Sequence, residues 1–145
     1  MLTFTLRRPS TAKPSGQALV EFALALPVFL LMLVAVFDFG RGVYTFNGLS
    51  EAAREIARVT SVYPGLVLGA SAQTAERVAI QQGHTPGMGT PAYECVKVDG
   101  SASLDNPCTT GDYVRVTVTS VYTPLTLMGF GGSINLSATS SSLIP

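Results

Sequence analysis

Residues 18–37 read ALVEFALALPVFLLMLVAVF, and this run decides how the N-terminal part of the chain folds. Its only charged residue is Glu21. As an α-helix the run extends about 30 Å, the thickness of the hydrocarbon core of a bilayer. It therefore predicts one transmembrane helix over residues 17–38. Pro27 lies inside the run, where a membrane helix tolerates proline at the cost of one backbone hydrogen bond and a kink.

The chain before this run is short and basic. Residues 1–16 hold Arg7, Arg8 and Lys13 and no acidic residue, and their prolines and glycine are typical of a flexible leader. Because basic flanks stay on the cytoplasmic side of a membrane helix, we expect the leader in the cytoplasm and the residues after Asp38 outside it. The sequence thus predicts a single-pass protein of the cytoplasmic (inner) membrane. Release by a conventional signal peptidase is disfavoured, because the apolar run is too long and lacks a small-x-small site at its end.

The composition also favours a membrane anchor. The 145 residues are 47% hydrophobic and only 12% charged, so apolar surface must be hidden outside a small core. Three of the nine basic residues and none of the nine acidic residues lie in the leader, which leaves the remainder weakly acidic. A weakly acidic chain without a basic patch argues against nucleic-acid binding. The length leaves room for one modest globular unit beside the anchor.

Helical periodicity continues beyond the apolar run. The apolar residues that recur at helical spacing are Val43, Phe46, Leu49, Ala53, Ile56 and Ala57. A helix unbroken from Gln17 to about Val62 measures roughly 70 Å, half of it in lipid and half, residues 39–62, as the spine of an external domain. Tyr63-Pro64-Gly65 then ends the helix.

Residues 63–145, which we call the head, begin with a second predicted helix. It covers residues 71–82, with Ser71 as its N-cap. Its narrow apolar face is predicted to consist of Ala72, Ala75, Val78 and Ala79. We expect this face to pack against the spine.

The rest of the head predicts strands. Residues 93–98 form a short candidate, and residues 113–121 alternate between valines on one face and polar residues on the other. Residues 133–143 form a weaker alternating strand. The predicted fold class is α+β: a long N-terminal transmembrane helix that extends into a head with a second helix and a three-stranded antiparallel sheet.

Two cysteines, Cys95 and Cys108, lie beside the turn-forming residues 105–107. Outside the cytoplasm they can pair, and a disulfide closing a loop of this size contributes about 3 kcal/mol on the chain-entropy model. The alternative is two unpaired small core residues. With the single His84 they make no familiar four-ligand zinc set, so we expect no metal and no cofactor.

We find no catalytic set in the sequence. No nucleophile and base, carboxylate pair or metal cluster is recognisable, and His84 stands alone in a loop rich in Gly, Pro and Thr. The sequence therefore predicts a non-enzymatic protein with no catalytic residues.

The most informative motif is Gly16-Gln17-Ala18-Leu19-Val20-Glu21-Phe22. An acidic residue inside a membrane span raises the free energy of insertion by roughly 2.5–3.5 kcal/mol on insertion scales, so the presence of Glu21 needs an explanation. One reason is simple: Glu21 is close enough to the cytoplasmic end of the span to reach toward lipid headgroups.

Taken with the basic leader, this motif resembles a class III signal peptide of the type IV pilin superfamily. The resemblance implies that a membrane prepilin peptidase cuts after Gly16, so that Gln17 becomes the new terminus. It also implies that Glu21 pairs with the terminal amine of a neighbouring subunit, and it places Glu21 and Phe22 in subunit assembly. A buried carboxylate is tolerable once it is paired.

Further residues narrow the resemblance. They are Asp38-Phe39-Gly40-Arg41, Leu49 and Glu51-Ala52-Ala53-Arg54-Glu55-Ile56-Ala57-Arg58. These segments look like the TadE-like family, minor pseudopilins of the tight-adherence (Tad/Flp) pilus. The major Flp pilin is shorter and typically has tyrosine where Phe22 stands.

The resemblance implies a structural subunit that takes part in initiation or assembly of the pilus. Its implied partners are the prepilin peptidase, other pilins and pseudopilins, the Tad assembly machinery and membrane lipid. The alternative is a membrane-anchored extracytoplasmic binding or adhesion module outside any pilus. The Ala-rich stretch over residues 52–57 permits close helix packing, either in the core of the head or between subunits.

Overall fold

The computed structural model describes residues 15–103, 108–125 and 132–145. The leader residues Arg7, Arg8 and Lys13 and the turn at 105–107 therefore lie outside the described residues. The elements in chain order are α1 (Ser15–Val62), α2 (Ala72–His84), β1 (Ala92–Val96), β2 (Tyr113–Tyr122) and β3 (Ile134–Leu143). The predicted α+β fold class is confirmed.

Helix α1 is a single helix of 48 residues. At 1.5 Å per residue it extends about 70 Å. It is continuous across Pro27, Gly40 and Gly42, and its last turn closes with a 3.0 Å hydrogen bond from the Tyr63 amide to the Val59 carbonyl. The helix ends where Pro64 removes the next backbone donor, so the apolar run and the spine belong to one continuous helix.

Helix α2 begins at the predicted cap but packs through a different face. The Ser71 hydroxyl accepts a 3.2 Å hydrogen bond from the Thr74 amide. The expected apolar face is wrong in its alanines, which are exposed, and Thr74 is the residue that is fully buried. Its hydroxyl lies 3.3 Å from the hydroxyl of Thr60 on α1. The contact between the helices is therefore partly polar, because alanine methyl groups offer little area to bury.

The three strands form one antiparallel sheet in the order β1-β2-β3. The long central strand pairs Tyr113 with Leu143 at one end and Tyr122 with Ile134 at the other. Alternation holds along β2, where Val114, Val116 and Val118 are buried, as are Ser120 and Tyr122. Val121 is the exception to the predicted valine face: it stands at an odd position in this alternation and is exposed.

The core lies between the inner face of the sheet and the upper half of α1. On α1 the fully buried apolar residues are Leu49, Ala52, Ala53, Ile56 and Ala57. The alanines let the sheet approach the helix closely, so this stretch belongs to the core of the head. Val43 and Phe46, expected on the same face, remain partly exposed because they lie below this core, near the end of the span.

A disulfide joins Cys95 on β1 to Cys108, just before β2, with the Cα atoms 5.5 Å apart. Both cysteines are buried in the core cluster. The bond links β1 to the residues just before β2. Of the two alternatives that the sequence left open, a disulfide or two unpaired core cysteines, the structure has the disulfide.

Candidate functional site

The lower half of α1 carries a continuous apolar surface that no described part of the chain covers. Residues 16–37 are exposed along their whole length, and their large side chains include Phe22, Phe29 and Phe37. Within the described residues, α1 is the one helix long and apolar enough to cross a membrane. An exposed apolar surface of this size marks a lipid or protein contact.

The motif residues lie in the first two turns of this surface. Among the residues that the structure describes, no heavy atom lies within 4 Å of a Cβ built on Gly16. The Gln17 side-chain amide Nε2 donates a 3.1 Å hydrogen bond to Glu21 Oε1, one helical turn away. Phe22 projects freely, with its side chain exposed. The structure therefore brings Gln17 and Glu21 together and leaves Phe22 available for another molecule.

Glu21 lies on one face of α1 with apolar neighbours at helical spacing. The residues that share a shallow surface depression with it are Leu24, Ala25, Val28, Phe29 and Met32. The carboxylate thus stands at one end of an apolar stripe, and small Ala25 leaves room for a second helix to approach.

A buried polar junction fixes the head to α1 at the end of the apolar run. The Tyr122 hydroxyl donates a 2.6 Å hydrogen bond to the backbone carbonyl of Asp38. The Asp38 side chain is buried and its carboxylate lies 3.4 Å from Arg41 Nη1. The Arg41 guanidinium stands 5.6 Å from the centroid of the Tyr122 ring, within the range of a cation–π contact. The end of β2 is therefore held at the level where the apolar run ends.

Sequence reasoning missed Tyr122, although a signal for it existed. Extending the alternation from Val114, Val116 and Val118 by two further steps places Tyr122 on the buried face. What the alternation does not reveal is its partner, because the hydrogen bond joins residues 84 positions apart.

Charged residues of the spine and the head form surface pairs rather than a reactive cluster. Arg58 and Arg77 both lie close to Glu55 Oε1, at 3.0 and 3.6 Å. The hydrogen bond from Arg58 lowers the pKa of Glu55, and the positive charges of both arginines add to this effect. Burial raises the pKa of Tyr93. Across residues 16–103, 108–125 and 132–145, no three His, Cys, Asp or Glu side chains are grouped so as to hold a metal ion.

The fold and this helix define a class of protein: an α+β head carried on a long N-terminal helix that is suited to anchoring in a membrane. Residues 16–58 match the family model described as TadE-like protein. The match confirms the resemblance to the TadE-like family, and it associates the protein with the Tad pilus in general terms. No curated protein and no solved structure matches the chain.

Proposed function

We propose that this protein is a minor pseudopilin, a non-enzymatic structural subunit that takes part in initiating or assembling a Tad-type pilus. In this proposal a prepilin peptidase removes the leader between Gly16 and Gln17. Helix α1 then holds the subunit in the cytoplasmic membrane, with its N-terminus in the cytoplasm and the head outside. The chemistry of the protein is that of a peptidase substrate and of a building block.

One observation carries the proposal: the family match begins at Gly16 and follows α1 to residue 58, and the lower part of this helix is uncovered. A helix serving only the core of the head would be buried along one face. Here the burial starts at Asp38, so residues 17–37 are left for lipid and for other subunits.

Glu21 supplies the assembly step. Its hydrogen bond from Gln17 offers a neutral donor, which does not cancel the negative charge. Cleavage after Gly16 creates a terminal amine, and pairing an ammonium with a carboxylate in lipid removes the cost of leaving either charge alone. The ion pair between Glu21 and the terminal amine of a neighbouring subunit therefore favours stacking of the two subunits at a defined height.

Intact-mass measurement of the membrane-extracted protein tests the processing step. We expect wild-type protein to begin at Gln17 and Gly16→Ala to retain residues 1–16. Gly40→Ala is the matched control, because it lies in the same helix and its added Cβ also meets no heavy atom of the described residues within 4 Å. Unprocessed wild-type protein beside an active prepilin peptidase would contradict the proposal.

Co-purification with pilus fractions tests the assembly step. We expect Glu21→Gln to be processed and inserted but depleted from these fractions, because the ion pair is lost. Glu51→Gln makes the same change on an exposed part of α1 above the span and should behave as wild type. Equal incorporation of Glu21→Gln and wild type would refute the role of the carboxylate.

The alternative, an anchored binding or adhesion module outside a pilus, is separated by gene content. Genes for a secretion ATPase, a prepilin peptidase and a short Flp pilin beside this gene favour the pseudopilin. Their absence from the whole genome favours the module.

A further inference from the structure

An apolar groove lies where the head meets the end of the apolar run. Its volume is about 440 Å³. One wall is α1, and the other is formed by Tyr122 at the end of β2, by Pro124, and by Ile134 and Leu136 at the start of β3. Its lining includes Asp38, Val43, Tyr122, Pro124 and Ile134. Apart from the buried Asp38 and the tyrosine hydroxyl bonded to it, these lining side chains are apolar.

The height of the groove follows from the hydrogen bond between Tyr122 and Asp38. That bond fixes the end of β2 one residue beyond Phe37, and Ile134 stands opposite Tyr122 in the sheet. Val43 is six residues past Phe37, or about 9 Å along the helix. The headgroup layer of a bilayer is about 5–7 Å thick on each side. With residues 18–37 in the hydrocarbon core, the part of the groove near Asp38 opens into the outer headgroup layer, and Val43 stands just beyond the outer edge of that layer.

The opposite end of the head stands far from this layer. The hydroxyl of Ser142, near the end of β3, lies 3.0 Å from that of Ser61 on α1. Ser61 is 24 residues beyond Phe37, which places this end about 36 Å farther along the helix axis. The sheet therefore runs roughly along α1, with one end at the membrane and one end well away from it.

A basic side chain accompanies the groove at the same level. Arg41 lines a second surface depression, which shares Tyr122 with the groove and also includes Tyr44, Thr45 and Thr123. Its side chain is 54% exposed, so it remains accessible while it contacts Asp38. A cation beside an apolar groove matches the two parts of a phospholipid, the phosphate and the acyl chain.

We propose that the base of the head, meaning this groove together with Arg41, is a lipid-binding surface that seats the head on the outer leaflet. A phospholipid acyl chain lies in the groove between α1 and Ile134, and its phosphate lies at Arg41. The occupant is lipid because the groove is continuous with the apolar surface of α1 and opens at the height where lipid is the surrounding medium. This inference rests on the proposed membrane anchoring, and it adds a contact made by the head itself.

Tryptophan fluorescence tests the proposal, because the chain contains no Trp. Full-length protein carrying Ile134→Trp is reconstituted in phosphatidylcholine vesicles with or without bromine atoms on the acyl chains near the headgroup. We expect bromine to quench about half of the tryptophan emission, because bromine quenches at contact distance and the proposal places this side chain against lipid. Val43→Trp, on the opposite wall and farther from the hydrocarbon core, should be quenched more weakly than Ile134→Trp and serves if Ile134→Trp does not fold.

Two controls make the result specific. Leu143→Trp lies at the other end of the same strand, about 30 Å away, and is equally exposed, with 49% against 45% for Ile134. It should show no quenching. Phe29→Trp lies in the middle of the span and should be quenched by lipids brominated deep in the chain, which tests the anchor alone.

Quenching of Phe29→Trp without quenching of Ile134→Trp would overturn the lipid surface and leave the anchor standing. No quenching of Phe29→Trp would overturn the anchor, and the lipid surface with it. Emission of Ile134→Trp that shifts with the ratio of protein to lipid but ignores bromine would identify a second copy as the occupant and overturn the lipid assignment. Emission of Ile134→Trp that is blue-shifted, unquenched and independent of the ratio of protein to lipid would show that the chain itself fills the groove. That result would also overturn the lipid assignment.

Discussion

Breaking the disulfide between Cys95 and Cys108 should destabilise the head by a predictable amount. The cross-link spans 13 positions, and the chain-entropy model gives about 3 kcal/mol for a closed loop of this size. Both thiols are buried beside the valines of β2, so reduction also leaves two S–H groups in an apolar core. We expect the reduced protein to lose about 3 kcal/mol of the free energy of unfolding.

The measurement is urea unfolding of the full chain in detergent micelles, followed by near-ultraviolet circular dichroism of the head tyrosines. Oxidised and reduced wild type share every side chain, so their difference isolates the cross-link. The double variant Cys95→Ala/Cys108→Ala should lose a similar amount and should no longer respond to reductant. A difference below about 0.5 kcal/mol between oxidised and reduced wild type would refute the reasoning, because it would mean that residual structure already holds the loop closed in the unfolded chain.

The pairing also bears on where the head resides. Disulfides persist outside the cytoplasm and are rare inside it. Protein taken from cells with its thiols blocked should therefore carry the bond if the head is exported, as we propose. Free thiols in such a sample would contradict the proposed orientation.

Three further predictions concern single side chains. Gly69→Ala should destabilise the head by about 1–3 kcal/mol, because Gly69 has φ +84° and its added Cβ would lie 2.5 Å from the ring of Tyr93. An unchanged midpoint in the same urea assay would contradict this. Tyr122→Phe removes the hydrogen bond to Asp38 and should lower the free energy of unfolding by about 1 kcal/mol. Amide hydrogen exchange should accelerate more at the Tyr122 end of β2 than at its Tyr113 end, and a uniform change along the strand would refute a local role. The hydrogen bond from Arg58 is the main cause that lowers the pKa of Glu55. The stability that this carboxylate contributes is complete above about pH 4.5, and it is lost as the pH falls through the lowered native pKa. Glu55→Gln should therefore reduce the acid-induced loss of unfolding free energy by under about 1 kcal/mol.

Much of the candidate site could be predicted from the sequence. Gly16, Gln17 and Glu21 stand in a contiguous motif, and a helix brings residues four apart onto one face whatever the rest of the chain does. The disulfide was less determined. Cys95 and Cys108 are close in sequence, but whether they bond depends on how β1 and β2 place the loop between them.

The sequence by itself determined the long helix, its apolar lower half, the capped second helix and the alternating strands. These features depend on local periodicity and on the chemistry of prolines and caps, which act within a few residues. The boundary of α1 at Val62 follows from Tyr63-Pro64-Gly65 for the same reason.

Only the tertiary structure decided which surfaces meet. It turned α2 so that Thr74, not its alanines, faces the spine, because an Ala-rich stripe is too weak to fix the rotation of a helix. It brought Tyr122 to Asp38 and so set the height of the sheet along α1. Contacts between residues far apart in sequence depend on how whole elements dock, and no local pattern encodes that docking. The apolar span was therefore readable at once, while the groove at its upper end appears only when helix and sheet are assembled.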